Sequence, residues 1–206
     1  MKALHAVAAG LVPPLCAACG RSCSHESIIC SRCRRRLADV ATLATRLPGI
    51  DFAWFSALYG GVARDLVIAL KVRRLLPVAE LIAEHIDWLA PGSALSGSIV
   101  PVPTARLRTA KRGFDPAGEI AFALSERTGL PLRECLVREG GGRQVGKRRA
   151  QRLGDPPRIL VRGEVPRSAL LIDDVCTTGA TLSACARALR NGGAARVEAI
   201  AFARRL

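Results

Sequence analysis

Leu170-Leu171-Ile172-Asp173-Asp174-Val175-Cys176-Thr177-Thr178-Gly179-Ala180-Thr181-Leu182 is the stretch whose reading decides the fold. Its apolar start predicts a buried strand over 169–172, which hands two adjacent carboxylates to its carboxyl end, where ligands of open α/β sheets bind. The turn that follows opens a helix expected over 180–190. Free backbone N–H groups and the positive dipole end suit a phosphate monoester there, with Thr177, Thr178 and Thr181 as extra hydroxyl donors around Ala180. Gly179 permits the tight backbone and close approach that such a nest needs. Asp173 and Asp174 can accept hydrogen bonds from a vicinal diol such as ribose. Diol and phosphate together describe a ribose 5-phosphate. A plain strand-to-helix turn capped by Asp-Asp is the alternative, and it does not explain so many matching positions.

Working outward, 196–203 reads as another strand, so the order strand–loop–helix–strand implies a parallel sheet. Upstream, 52–59 alternates as a strand and ends at Gly60-Gly61. Residues 62–71 and 78–89 carry apolar residues at helical spacing, and 98–102 is short, apolar and β-branched, hence a strand. Asp115 as N-cap and Pro116 at the first position predict a helix over 116–128. The segment 140–157 lacks a long period and carries Arg143, Lys147, Arg148, Arg149 and Arg152, which predicts a basic loop or hairpin. With 50% hydrophobic residues and only 4% aromatics, the composition favours an α/β protein over an aromatic-rich sandwich.

Cys16 and Cys19 form one C-x-x-C pair, and Cys30 and Cys33 a second. Such a pair turns both sulfurs toward one ion, and two pairs complete the closed tetrahedral shell of a structural Zn²⁺. Disulfides or a redox pair are the alternatives, and a redox motif would not need two copies. Cys23 or His25 could replace a member of the second pair. The module is expected to end in Arg34-Arg35-Arg36 and a short helical stretch to about Arg46, with Leu47-Pro48-Gly49 as the boundary. This divides the chain into 1–46, an N-terminal helix and zinc module, and 50–206, a ligand-binding α/β domain.

A net charge of +14 implies anionic partners: a phosphorylated metabolite, nucleic acid or a membrane surface. No apolar run reaches the ~20 residues that span a bilayer. The start, MKALHAVAAGLVPPLC, imitates a secretory signal faintly, but His5 interrupts it and Pro-Pro-Leu precedes Cys16. It reads as a short helix packed on the protein, and the chain as cytoplasmic.

The 170–182 stretch resembles the signature loop of type I phosphoribosyltransferases. The whole chain resembles the ComF family of such proteins, associated with DNA uptake in naturally competent bacteria. The likeness rests on the four cysteines, Leu70-Lys71, Val100-Pro101-Val102-Pro103, Arg112-Gly113-Phe114, Gln144 with Arg152, and the loop itself. The resemblance implies a type I phosphoribosyltransferase fold with a central parallel sheet behind a zinc module. It also implies a site for 5-phosphoribosyl-1-pyrophosphate (PRPP) with Mg²⁺. Asp173 and Asp174 would hold the ribose hydroxyls, and Thr177, Thr178, Gly179, Ala180 and Thr181 would wrap the 5-phosphate. The strand end at 102–104 would sit beside the pyrophosphate, with Lys71, Arg73, Arg106, Lys111 or Arg112 as cationic helpers. The basic segment with Arg152 would be the flap. Four positions depart from the family. Asp115-Pro116 stands where relatives have Asn-Gln, Asp155 replaces an Asn, and Thr177 stands where users of 6-oxopurines carry an acid that serves the base. A salvage activity on hypoxanthine or guanine is therefore disfavoured.

Two functions follow from the resemblance. One is transfer of ribosyl phosphate to a nitrogen nucleophile with loss of pyrophosphate. The other is a non-catalytic DNA-handling accessory, with excess charge suited to single-stranded DNA. The scarcity of aromatics argues against a base-stacking platform.

Overall fold

Alternation decides the architecture: Leu170 and Ile172 face one side of the central sheet while Ala169 and Leu171 face the other, and all four are buried. The computed structural model describes residues 14–39, 43–90, 92, 95–139 and 157–206. In chain order these form α1 (Ser31–Ala38), β1 (Leu43–Leu47), β2 (Ile50–Leu58), α2 (Gly61–Lys71), α3 (Pro77–Leu89) and β3 (Ser98–Pro101). There follow α4 (Arg106–Arg112), α5 (Pro116–Thr128), β4 (Leu136–Arg138), β5 (Ile159–Val161), β6 (Ser168–Cys176), α6 (Ala180–Asn191) and β7 (Arg196–Arg204).

The main sheet has the order β1-β2-β7-β6-β3. Its β2–β7, β6–β7 and β3–β6 pairs are parallel, and β1 is an antiparallel edge on β2. One face packs against α2, α3 and α5 through Leu66, Leu70, Ile82, Ile86, Ile120 and Leu124. The other is covered by α6, through Leu182, Cys185 and Leu189, and by Leu136 of the β4–β5 hairpin. Each such side chain removed from water contributes about 1.5–3 kcal/mol, which fixes the strand ends on which the loops stand. Pro101 lacks an N–H, and β3 is an edge strand of the main sheet, where that loss is tolerated.

The strands and helices expected at 52–59, 62–71, 78–89, 98–102, 116–128, 169–172, 180–190 and 196–203 are present, some longer than expected. One expectation is corrected. The helical stretch to Arg46 stops at Ala38, and Leu43–Leu47 is instead a strand paired with β2. Leu47-Pro48-Gly49 is a hairpin turn, with Gly49 at φ 81°. Four of the five β1 side chains are exposed, so no burial period marks the strand; backbone pairing with β2 creates it. Helix α4 was not anticipated, and where a basic loop or hairpin was expected over 140–157, the paired strands β4 and β5 lie just outside those bounds and flank the segment. Arg152, most of the 140–157 segment and the N-terminal stretch expected to be helical lie outside the described residues.

The cysteine module is seated on the main core. Cys16, Ala17, Ile29, Cys33 and Leu37 share one buried cluster with α2 and α3. Arg34 pairs with Glu84 of α3 at 3.2 Å, and the Arg73 guanidinium donates to the Ala17 carbonyl.

Candidate phosphoribosyl site and cysteine centre

Strand β6 runs through the core and brings Asp173 and Asp174 out at its carboxyl end. Asp174 is only 6% exposed and pairs with the Lys71 ammonium at the last position of α2. Leu70, fully buried one residue earlier, anchors that helix end. Asp173 Oδ1 accepts from the Asp174 N–H at 2.9 Å. Burial, then the neighbouring Asp174 charge, push the Asp173 carboxyl well above the usual carboxylate range, and Lys71 only partly opposes them. A carboxyl held this way gains from a hydroxyl donor or a cation that enters beside it.

The next turn is built for a helix start. Gly179 is the N-cap of α6 at φ 80°, a left-handed conformation that glycine adopts without strain. A Cβ there would lie 2.9 Å from Leu47 Cδ2 of β1, so the glycine also admits close approach of the hairpin. Thr178 Oγ1 accepts from the Ala180 N–H at 3.3 Å. The first N–H groups of a helix have no intrahelical acceptor, and those of α6 are a ready set of anion donors. The turn is tied down by Arg205, whose N–H donates to the Cys176 carbonyl at 2.9 Å.

The opposite wall is the stretch after β3. The Val102 N–H donates to the Ile172 carbonyl at 2.9 Å, extending the pairing beyond the strand. Asp115 then clamps the loop. Its carboxylate accepts from Thr104 N at 3.1 Å and Thr104 Oγ1 at 2.8 Å while capping α5 through Ala117 N at 3.2 Å. The cap is the one the sequence predicts; the bonds to Thr104 were missed. They could have been suspected from the departure at Asp115, since an acceptor-only side chain needs donors nearby.

These walls enclose a cavity of about 220 Å³ lined by Lys71, Thr104, Arg112, Asp173, Asp174, Thr177 and Thr181, with Arg138 of β4 beside them. A smaller hollow adjoins it against Thr177, Gly179, Ala180 and Thr181. Thr178 is exposed on the same turn. Arg138 was not foreseen, because a three-residue strand gives no sequence signal. Arg73 is committed to the cysteine module through Ala17. The side chains of Arg106 and Lys111, on α4, and the whole of Arg152 lie outside the described residues.

At the other centre, the Sγ atoms of Cys16, Cys19, Cys30 and Cys33 lie within 4.8 Å of one another. Cys19 and Cys30 are 3.8 Å apart, matching the edge of about 3.8 Å of a tetrahedron with metal–sulfur bonds of ~2.3 Å. Burial disfavours the Cys16 thiolate, but N–H groups of Cys19, Cys30 and Ala18 outweigh it and hold the pKa at about 6. Burial raises the Cys33 thiol, with the three other sulfurs adding to the effect. Four thiols so placed can all ionise only around a cation, so the donor set fits a metal such as zinc. Cys23 turns away and bonds the Pro14 and Ser27 carbonyls at 3.4 and 3.3 Å; neither it nor His25 joins the group.

A family model described as a phosphoribosyl transferase domain matches residues 109–206. The chain is 30% identical over 203 residues to the DNA utilization protein YhgH of Escherichia coli K12, covering 93% of this chain and 85% of that protein. It is 31% identical over 107 residues to the competence protein ComFC of Streptococcus pneumoniae, covering 51% of this chain and 47% of that protein, about half its length. Among solved structures, a glutamine phosphoribosylpyrophosphate amidotransferase from B. subtilis aligns at 21% identity with a TM-score of 0.40, over 64% of this chain and 26% of that one. With its mostly parallel sheet, its phosphoribosyltransferase domain and a relative that matches nearly end to end, the chain belongs to the ComF family of phosphoribosyltransferase-like proteins.

Proposed function

We propose that the cavity at the end of β6 binds PRPP and that the protein transfers its ribosyl phosphate to a nitrogen nucleophile. The observation that carries this is the convergence of Lys71, Arg112, Asp173, Asp174, Thr177 and Thr181 on one cavity from five separate elements or loops. The α6 amino end and its threonines take the 5-phosphate. Asp173 and Asp174 accept from the ribose hydroxyls, which relieves the two crowded carboxyls. Lys71 and Arg112 face the pyrophosphate, and Asp115 holds the Thr104 loop beside it. As the C1–O bond breaks, the sugar takes on oxocarbenium character, and fixed charges in a site that excludes water stabilise the separation.

The hard oxygens of Asp173 and Asp174 fit Mg²⁺, which, bound with PRPP, would neutralise charge on the leaving pyrophosphate. Titration calorimetry with PRPP and Mg²⁺ tests the reading, followed by a screen for pyrophosphate release across amines and nucleobases. Absence of any heat with a folded protein would remove it.

The four cysteines hold Zn²⁺ in a closed shell that supports the fold and takes no part in the chemistry. The division into a zinc module within 1–46 and a phosphoribosyltransferase-like domain over 50–206 is the organisation proposed, with β1 joining the two. Four reduced thiols around a metal fit a cytoplasmic setting, and no helix among the described residues is long and apolar enough to cross a membrane.

A second reading is favoured by the relatives' names, competence protein and DNA utilization protein. Here the chain handles single-stranded DNA, with the sugar-phosphate site as a sensor. The exposed Arg32, Arg35 and Arg36 on α1 fit that role. Binding should then weaken steeply with salt, because each neutralised phosphate releases counterions. Charge-neutral variants at these arginines should flatten the salt slope, and DNA binding indifferent to salt would discard the reading.

A further inference from the structure

A second cavity, of about 210 Å³, abuts the phosphoribosyl site and shares Lys71, Val175 and Thr177 with it. It is built on the carboxyl ends of three neighbouring strands. The Tyr59 N–H donates to the Arg204 carbonyl at 2.7 Å, and the Arg205 N–H donates to the Cys176 carbonyl at 2.9 Å. Tyr59, Arg205 and the Val175–Thr177 turn are therefore held side by side. Val67 and Ile68 of α2 supply an apolar wall and Tyr59 an aromatic one.

Three features define what fits. Lys71, Val175 and Thr177 line both cavities, whereas Thr104 and Arg112 line only the phosphoribosyl site and Tyr59 and Arg205 only this one. A displacement at C1 needs room for two groups beside the sugar, one chamber for the leaving group and an adjoining one for the nucleophile. The size is next: a cavity of ~150 Å³ takes a benzene ring, so this one takes a single ring with a substituent. The last is charge. Among the described residues, no carboxylate lines the cavity. Of its two cations, Lys71 is neutralised by Asp174, while Arg205 has no ion pair among the described residues. An apolar slot with one uncompensated guanidinium selects an anionic ring, because Arg binds carboxylates through paired N–H donors.

Resting on the PRPP reading above, we propose that this cavity is the acceptor subsite and that the acceptor is a monocyclic nitrogen nucleophile bearing a carboxylate, held by Arg205. The nitrogen lone pair forms the bond to C1. The C1–O bond breaks, and its electron pair leaves with pyrophosphate. A ring nitrogen has no proton to lose, and an amine passes its proton to water at the open mouth of the cavity.

The test uses the full chain in two stages. PRPP with Mg²⁺ is titrated first. Pyridine-3-carboxylate and 2-aminobenzoate, and their neutral amides, are then titrated with ribose 5-phosphate filling the sugar site, so that no transfer occurs. The acids should bind at least tenfold tighter than the amides. Arg205→Gln should erase that preference and leave PRPP binding as in the parent. Val67→Trp, which fills the cavity, should block the acids in a protein that still binds PRPP. Should the parent bind PRPP yet take acids and amides alike, or take neither, the proposal is overturned. It is equally overturned by an acid preference that survives Arg205→Gln. A parent that does not bind PRPP fails at the first stage, which removes the sugar-site reading and this inference with it.

Discussion

The cysteine centre and the acidic pair of β6 both crowd groups of like charge, and they resolve the crowding in opposite ways. At the first, the four cysteine sulfurs lie within 4.8 Å of one another, a donor set that a single metal ion could neutralise. At the second, Lys71 answers Asp174 but leaves Asp173 displaced toward its neutral form beside an open cavity. The first arrangement is complete once a metal is in it; the second is completed by whatever enters. On the proposed reading, one supports the fold and the other receives a ligand.

The largest expected effect comes from breaking the closed centre. Cys16→Ser or Cys33→Ser should abolish metal retention and destabilise the whole chain, because both residues sit in the core shared with α2 and α3. Structural zinc supplies about 10–16 kcal/mol of binding free energy in small modules, so even a partial loss is several kcal/mol. Metal analysis and thermal melts with and without chelator would read this. Cys23→Ser should keep the metal, since its thiol serves only two carbonyls; loss of metal there would reassign the ligands.

The next effect tests the turn that follows the acidic pair. Gly179→Ala forces a left-handed residue at the start of α6 and should cost about 1–2 kcal/mol. Leu47→Ala should not restore it, because the Leu47 side-chain end can shift while the backbone strain stays. A full rescue by Leu47→Ala would show that crowding by the hairpin, not φ, makes glycine necessary. Denaturant unfolding of the two single variants and the double variant separates these outcomes.

How far each region could be read from sequence follows the same contrast. The cysteine centre is local, with C-x-x-C spacing in both pairs, so spacing alone gives the four residues and leaves only Cys23 and His25 to be sorted by geometry. The phosphate turn is also local, and its strand, glycine and helix stand where expected. The rest of the cavity is assembled over long separations. Thr104 meets Asp115, Arg138 arrives on a three-residue strand, and β1 exists through pairing with β2 rather than through any burial period of its own. Periodicity reports which face is buried, not which distant loop lies opposite, so these partners had no sequence signal beyond residue type.

A smaller effect sharpens the role of Asp115. Asp115→Ala removes the α5 cap and both bonds to Thr104, and should cost about 1–2 kcal/mol of stability together with weaker PRPP binding. Asp115→Asn keeps one acceptor and should retain most of both. Equal losses in the two variants would mean that charge, rather than the clamp, is what matters.

The smallest effect is one of pH. His85 is 7% exposed, bonds the Ser56 carbonyl at 3.2 Å and faces the Phe202 and Trp88 rings, with the Glu84 carboxylate nearby. Burial lowers its pKa despite the Ser56 bond and Glu84. The unfolded chain therefore takes up a proton that the folded one refuses, so this stability is complete above about pH 6.5 and is lost as pH falls below it. His85→Gln should flatten the pH 5–7 part of the stability curve, and an unchanged slope would show that His85 does not produce it.

The central claim is that Asp173 and Asp174 receive a ribose. Calorimetry with PRPP and Mg²⁺ on the parent, Asp173→Asn and Asp174→Asn tests it most directly. Each charge-assisted hydrogen bond lost is worth roughly 1.5–3 kcal/mol, so affinity should fall about tenfold or more in each variant while zinc content stays at the parent level. Folded variants that bind PRPP as tightly as the parent would contradict the account.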